Sequence, residues 1–130
     1  MSDDIADPAD SPDRSGPGAG GQPAGRDEPE VDPVMVILDF RTDRPDRLLE
    51  VLARYVVVSR NQPGCRNIDL VASMTDPERV VVVEKWASEV DQRAHFDSGA
   101  MVDMARSCEG ILRSAPAIDL LHGVSMHDLA

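Results

Sequence analysis

Two short stretches, VMVILDF at 34–40 and VVVVEKW at 80–86, limit what this chain can fold into more than any other feature. Both are rich in β-branched residues and read as strands. Neither alternates, because Val34–Leu38 and Val80–Val83 are apolar at every position. An antiparallel sheet with one wet face alternates apolar and polar residues, so an unbroken run calls for cover on both faces. The helices that the rest of the chain can supply cover one face. A second copy of the same sheet is the economical cover for the other, which predicts a homodimer with an isologous, face-to-face interface.

The remaining sequence divides by composition. Residues 1–32 hold nine acidic residues against Arg14 and Arg26, so seven of the eleven net negative charges lie there. Five of the nine glycines fall in GPGAGGQPAG at 16–25. With Ile5 and Val31 its only large aliphatics after Met1, this stretch cannot bury enough apolar surface to offset the entropy of ordering it. It reads as a disordered acidic extension, and it lacks the basic start and apolar core of a signal peptide. No apolar run nears the roughly 20 residues of a membrane helix. The acidic balance argues against nucleic acid, whose phosphates need clustered Lys and Arg. Arg41, Arg44 and Arg47 do cluster, but Asp43 and Asp46 interleave with them. Cys65 and Cys108 lack CxxC spacing and read as free thiols of a cytoplasmic protein.

Residues 33–124 carry the domain. After the first strand, Asp43 is the expected N-cap, with Pro45 in the first turn. Leu48, Leu49, Leu52, Tyr55 and Val56 fall at helical spacing with one apolar face. Asn61-Gln-Pro-Gly64 ends that helix. CRNIDLVASM (65–74) alternates, with Ile68, Leu70 and Ala72 on one side and Asn67, Asp69 and Val71 on the other. The turn Thr75–Arg79 joins it in a hairpin to VVVVEKW. Ser88 and Asp91 resemble a capping box for a short helix to about Asp97. Met101, Met104, Ala105, Cys108 and Leu112 mark a further helix, with the methionines as core. AIDLLHGV (117–124) reads as a last strand, and 125–130 as a flexible end. The order strand, helix, strand, strand, helix, helix, strand predicts an α+β, ferredoxin-like β-α-β-β-α-α-β fold with an antiparallel sheet.

Three pieces carry a family likeness: Pro63-Gly64-Cys65 entering the second strand, Asp76-Pro-Glu-Arg79 in the hairpin, and Glu84-Lys-Trp86-Ala-Ser-Glu89 followed by Ala94-His95. Together they span most of 34–122. In order and spacing the chain resembles antibiotic biosynthesis monooxygenase (ABM) domains of the dimeric α+β barrel superfamily. The resemblance implies a pocket between sheet and helices in each subunit. It also implies either cofactor-free oxygenation of quinols or polycyclic polyketides with dioxygen, or haem binding and degradation; many such domains have no known activity. Two departures stand out. The haem branch pairs its iron-ligating histidine with an asparagine on the first strand, where this chain has Asp39 beside Phe40. The polyketide branch places an asparagine four residues before the tryptophan, where this chain has Val82.

The chemistry also follows from residue types. A metal-free oxygenase needs a general base to turn its substrate into an electron-rich anion, and histidine titrates nearest neutrality. A flat substrate needs an apolar wall, which an indole supplies. His95 and Trp86 are therefore the candidate base and wall, set against a solvated imidazole and an aromatic core plug. Glu84 shares the face of Trp86 by period-two alternation. It is either a desolvated base or half of an ion pair with an arginine such as Arg66. Asn67, Asp39 and Phe40 complete the candidate substrate contacts. His122 and His127, five apart, carry no metal-site expectation, and no cofactor is predicted outside the haem alternative. A non-catalytic ligand-binding or structural dimer is the third reading.

Overall fold

The computed structural model describes residues 32–126. The acidic extension, apart from Asp32, and His127 lie outside the described residues. The elements follow in the expected order: β1 (Val34–Arg41), α1 (Pro45–Ser59), β2 (Cys65–Ala72), β3 (Arg79–Trp86), α2 (Glu89–Phe96), α3 (Gly99–Ser107) and β4 (Ala117–His122). The strands form one sheet in the order β2-β3-β1-β4, with every neighbouring pair antiparallel.

The apolar runs do alternate in burial, although not in residue type. Val34, Val36, Leu38 and Phe40 of β1 and Val80, Val82, Glu84 and Trp86 of β3 are buried. These residues face the helices, where they meet Leu48, Leu52, Tyr55 and Val56 of α1 and Met104 of α3. The intervening Met35, Ile37, Val81 and Val83 are only half-buried. They form an apolar band on the opposite face, flanked by Val71 at 45% and Leu121 at 43% exposure. Among the described residues, no helix covers the second apolar face of the sheet.

Local chemistry sets the element ends, with one correction. Asp43 is exposed and does not cap α1; the helix begins at Pro45 without a side-chain cap. Buried Thr42 does the local work instead. Its hydroxyl accepts from the Arg44 N–H at 2.8 Å and donates to the Ile111 carbonyl at 2.5 Å. At α2 the expectation holds: Ser88 is the N-cap and its hydroxyl accepts from the Asp91 N–H at 3.2 Å. Gly64 takes φ +79°, which glycine adopts without a Cβ penalty. A Cβ there would also lie 2.3 Å from the Asp91 carboxyl. The Gly64 carbonyl accepts from the Ala87 N–H at 2.8 Å, fixing the start of β2 against the end of β3, where Trp86 sits.

Candidate active site

Four side chains from three elements meet in the core beneath the end of β3. Period-two alternation on β3 points Glu84 and Trp86 toward the helices. On α2, a mostly polar helix, the inward positions are Gln92 and His95. From α1 comes Tyr55, three residues after Leu52 on the apolar stripe. Exposure is 0% for Trp86, 1% for Glu84, 2% for His95 and 3% for Tyr55.

Each polar atom in this group but one has a partner. Trp86 Nε1–H donates to Glu84 Oε1 at 2.9 Å. The Tyr55 hydroxyl bonds Glu84 Oε2 and lies 2.8 Å from His95 Nε2. The His95 ring stacks on the Trp86 indole, with centroids 4.5 Å apart and planes 26° from parallel. His95 Nδ1 is buried and has no hydrogen-bond partner. The arginine expected beside Glu84 is replaced by a phenol and an indole.

Burial without a cationic partner dominates the electrostatics. It pushes the Glu84 carboxyl above the usual range, against the opposing hydrogen bonds from Tyr55 and Trp86. Burial first, and then the neighbouring carboxylate, push the Tyr55 phenol up. Burial holds the His95 imidazole below its ordinary value. Cys65, on β2 opposite Trp86, is raised by desolvation and then by Glu84.

These directions predict a pH signature. The pKa of Glu84 is higher in the folded than in the unfolded state, so its contribution to stability is fully present below its unfolded value. That contribution is lost as pH rises through the folded value. His95 works oppositely, contributing above its unfolded value and losing that contribution as pH falls through its lowered folded one. Glu84→Gln removes the first effect while its amide still supplies an acceptor for Trp86 and a donor for Tyr55. Its melting temperature should therefore gain on wild type as pH rises from about 4.5 toward neutrality, as read by thermal melts across that range.

The sequence-predicted residues separate into two sets. Glu84, Trp86 and His95 come together on the helix side of the sheet. Asn67 and Asp39 lie on the other face and do not join them, because β2 and β1 turn Ile68, Leu38 and Phe40 inward. Asn67 is exposed and donates to Asp69 at 2.9 Å. Asp39 takes bonds from Arg79 at 2.8 and 3.1 Å, and that guanidinium holds its carboxyl low. Phe40 lines a cavity of about 260 Å³ between sheet and helices. Leu38 and Ile118 line its sheet side, while Phe96, Met101, Met104, Ala105 and Cys108 line its helix side. Its walls are apolar apart from the Cys108 thiol, which contacts the Met104 sulfur at 3.7 Å. Met101 and Met104 thus serve as cavity wall as well as core.

Sequence reasoning took Tyr55 for one more residue of an apolar stripe. The available signal was its hydroxyl, because a buried tyrosine needs a partner for its O–H. The haem alternative fits the site poorly, since His95 Nε2 is engaged by Tyr55 and the ring is enclosed. Among the described residues no three His, Cys, Asp or Glu side chains gather as a metal site. No helix among them is long and apolar enough to cross a membrane.

Comparison with known proteins agrees with this architecture. A Mycobacterium tuberculosis protein superposes with a TM-score of 0.63 at 27% identity, over 75% of this chain and 98% of that one. A Pseudomonas aeruginosa protein gives 0.68 at 21% identity, over 75% and 100%. A variant of SnoaB, a cofactor-independent oxygenase from Streptomyces nogalater, gives 0.66 at 16% identity, over 74% and 97%. No curated protein matches the sequence. The family model of antibiotic biosynthesis monooxygenases matches residues 34–107. With that match over more than half its length, on a ferredoxin-like sheet with three helices, the chain belongs to the antibiotic biosynthesis monooxygenase family.

Proposed function

We propose that this protein is a cofactor-independent oxygenase, acting with dioxygen on a phenolic, quinol or polyketide-type aromatic. The observation that carries the reading is the apolar cavity of about 260 Å³ beneath the sheet, on the same helix-facing side as the buried Tyr55–Glu84–His95 group. Its lining of aromatic, aliphatic and sulfur side chains suits an uncharged planar ring system. Nothing charged lines it, so a substrate acid would enter neutral and ionise only against the buried group. Phe96 is 44% exposed, and Met104 has three flexible torsions. The reading requires such side chains to turn aside so that a bound ring can reach the enclosed His95.

The reading includes a homodimer closed over the Met35, Ile37, Val81 and Val83 band. It also places the protein in the cytoplasm, in keeping with the free Cys65 and Cys108. Oxygen uptake with a panel of naphthols, quinols and anthrones tests the activity. Ala105→Phe, which places a ring at the cavity rim, should raise the KM for the aromatic about tenfold or more while leaving the melting temperature near wild type. Uptake that is equal in wild type, Ala105→Phe and His95→Ala refutes the assignment.

A second reading has its own observation. Trp86 and His95 are sealed at 0% and 2% exposure, which suits a carrier of apolar ligands that performs no chemistry. Tight binding of the same aromatics without oxygen uptake would select it.

A further inference from the structure

We infer that Glu84, Tyr55 and His95 form a proton relay whose open end is His95 Nδ1, so that a proton taken from a substrate hydroxyl at that nitrogen is stored on Glu84. The inference rests on the oxygenase reading and names the atoms that would make the substrate anion.

The geometry leaves two self-consistent hydrogen-bond patterns. Glu84 Oε1 is committed to the Trp86 N–H, so only Oε2 takes part in the relay. The Tyr55 hydroxyl has one proton and two hydrogen-bond partners, Glu84 Oε2 and His95 Nε2, with the buried Ser59 hydroxyl also close to it on α1. In the first pattern Glu84 is ionised, Tyr55 donates to it, and His95 donates from Nε2–H to the tyrosine oxygen. Nδ1 then carries a bare lone pair. In the second pattern Glu84 is protonated and donates to Tyr55, which donates to an unprotonated Nε2, leaving the imidazole proton on Nδ1. The patterns differ by one proton, and the second leaves a buried N–H with nothing to bond. Buried N–H groups with no acceptor are rarer in folded proteins than under-satisfied acceptors. The resting site is therefore the first pattern, with the unpartnered Nδ1 as its only vacant basic atom.

Conversion of the first pattern into the second is the relay step. The substrate O–H bond breaks and an Nδ1–H bond forms. The Nε2 proton passes to the tyrosine oxygen as the tyrosine's own proton passes to Glu84 Oε2. The substrate becomes an oxyanion, Glu84 becomes neutral, and the charge once on the carboxylate now resides on the substrate. No oxidant enters this step. The group is packed by Tyr55 from α1, Cys65 from β2, Glu84 from β3 and His95 from α2. Among these no cation bonds the carboxylate, so burial favours its taking the proton. Tyr55 and Glu84 act through His95 and are positioning residues; His95 alone would touch substrate.

Two measurements on the full chain test the relay. Histidine nitrogen NMR of the ligand-free protein near neutral pH should find His95 as the Nε2–H tautomer with Nδ1 bare, a preference lost in Tyr55→Phe. An Nδ1–H tautomer in wild type overturns the relay with no substrate involved. Anaerobic addition of a naphthol should then yield bound naphtholate together with the infrared band of a newly protonated carboxyl. That band should be absent in Glu84→Gln and in Tyr55→Phe. Naphtholate without the band, or the band surviving in Tyr55→Phe, also overturns it. If no naphthol binds, the oxygenase reading fails and the tautomer decides the relay. In turnover each of the two variants should lose about 10²-fold or more in kcat with little change in KM.

Discussion

Trp86→Ala should destabilise the domain by about 3–5 kcal/mol, the range for deleting a fully buried large aromatic. The indole has 0% exposure and stacks on His95, so its removal leaves a void that both α2 and β3 must shift to fill. The same change strips Glu84 Oε1 of its donor, and a buried acceptor left unmet adds about 1–3 kcal/mol. Because single domains are stable by only about 5–15 kcal/mol, the variant should be close to half-unfolded in mild urea. Trp86→Phe separates the two contributions, since it keeps an aromatic ring over His95 and loses only the N–H. Urea melts of the three proteins measure this. A Trp86→Ala midpoint equal to wild type would mean that the indole does not hold this end of the core.

Ile37→Lys should convert a dimer into monomers while leaving each domain folded. Ile37 lies at the centre of the face that no described helix covers, opposite Val83 of β3 and Asp119 of β4. In a single subunit a lysine there keeps its ammonium in water beside Asp119, at little cost. In a face-to-face dimer both copies would have to desolvate an added charge, a penalty of several kcal/mol per ion, and the dissociation constant should rise by more than about 10²-fold. Light scattering at micromolar concentration reads the outcome. A wild-type monomer, or a lysine variant that remains dimeric, would show that some other surface, or none, joins the subunits.

The two expectations differ in how far the sequence could carry them. The double-faced apolar runs at 34–38 and 80–83 were visible without coordinates, because strand side chains alternate with a period of two and the residue types did not. The order of the elements, the Ser88 cap and the helix stop ahead of Asn61-Gln-Pro-Gly64 were equally legible, because each depends on residues close together in the chain. The shared face of Glu84 and Trp86 followed from the same alternation. That alternation also set Asn67 opposite Ile68 and Asp39 between Leu38 and Phe40, which is why neither reaches the buried group. The Asp43 cap failed because Thr42, one residue earlier, is drawn in by the Ile111 carbonyl 69 residues away, a contact no local motif announces.

By itself, then, the sequence determined the fold class and its order of elements. These follow from short-range periodicity and from apolar surface leaving water. Only the tertiary structure decided what the buried polar residues do. Tyr55, Glu84 and His95 are 29 and 40 positions apart as measured from the tyrosine, and each alone admitted a bland role. Packing α1 and α2 on one sheet face brought a phenol, a carboxylate and an imidazole into hydrogen-bonding range. It excluded the water that would have satisfied each separately, and left one nitrogen without a partner.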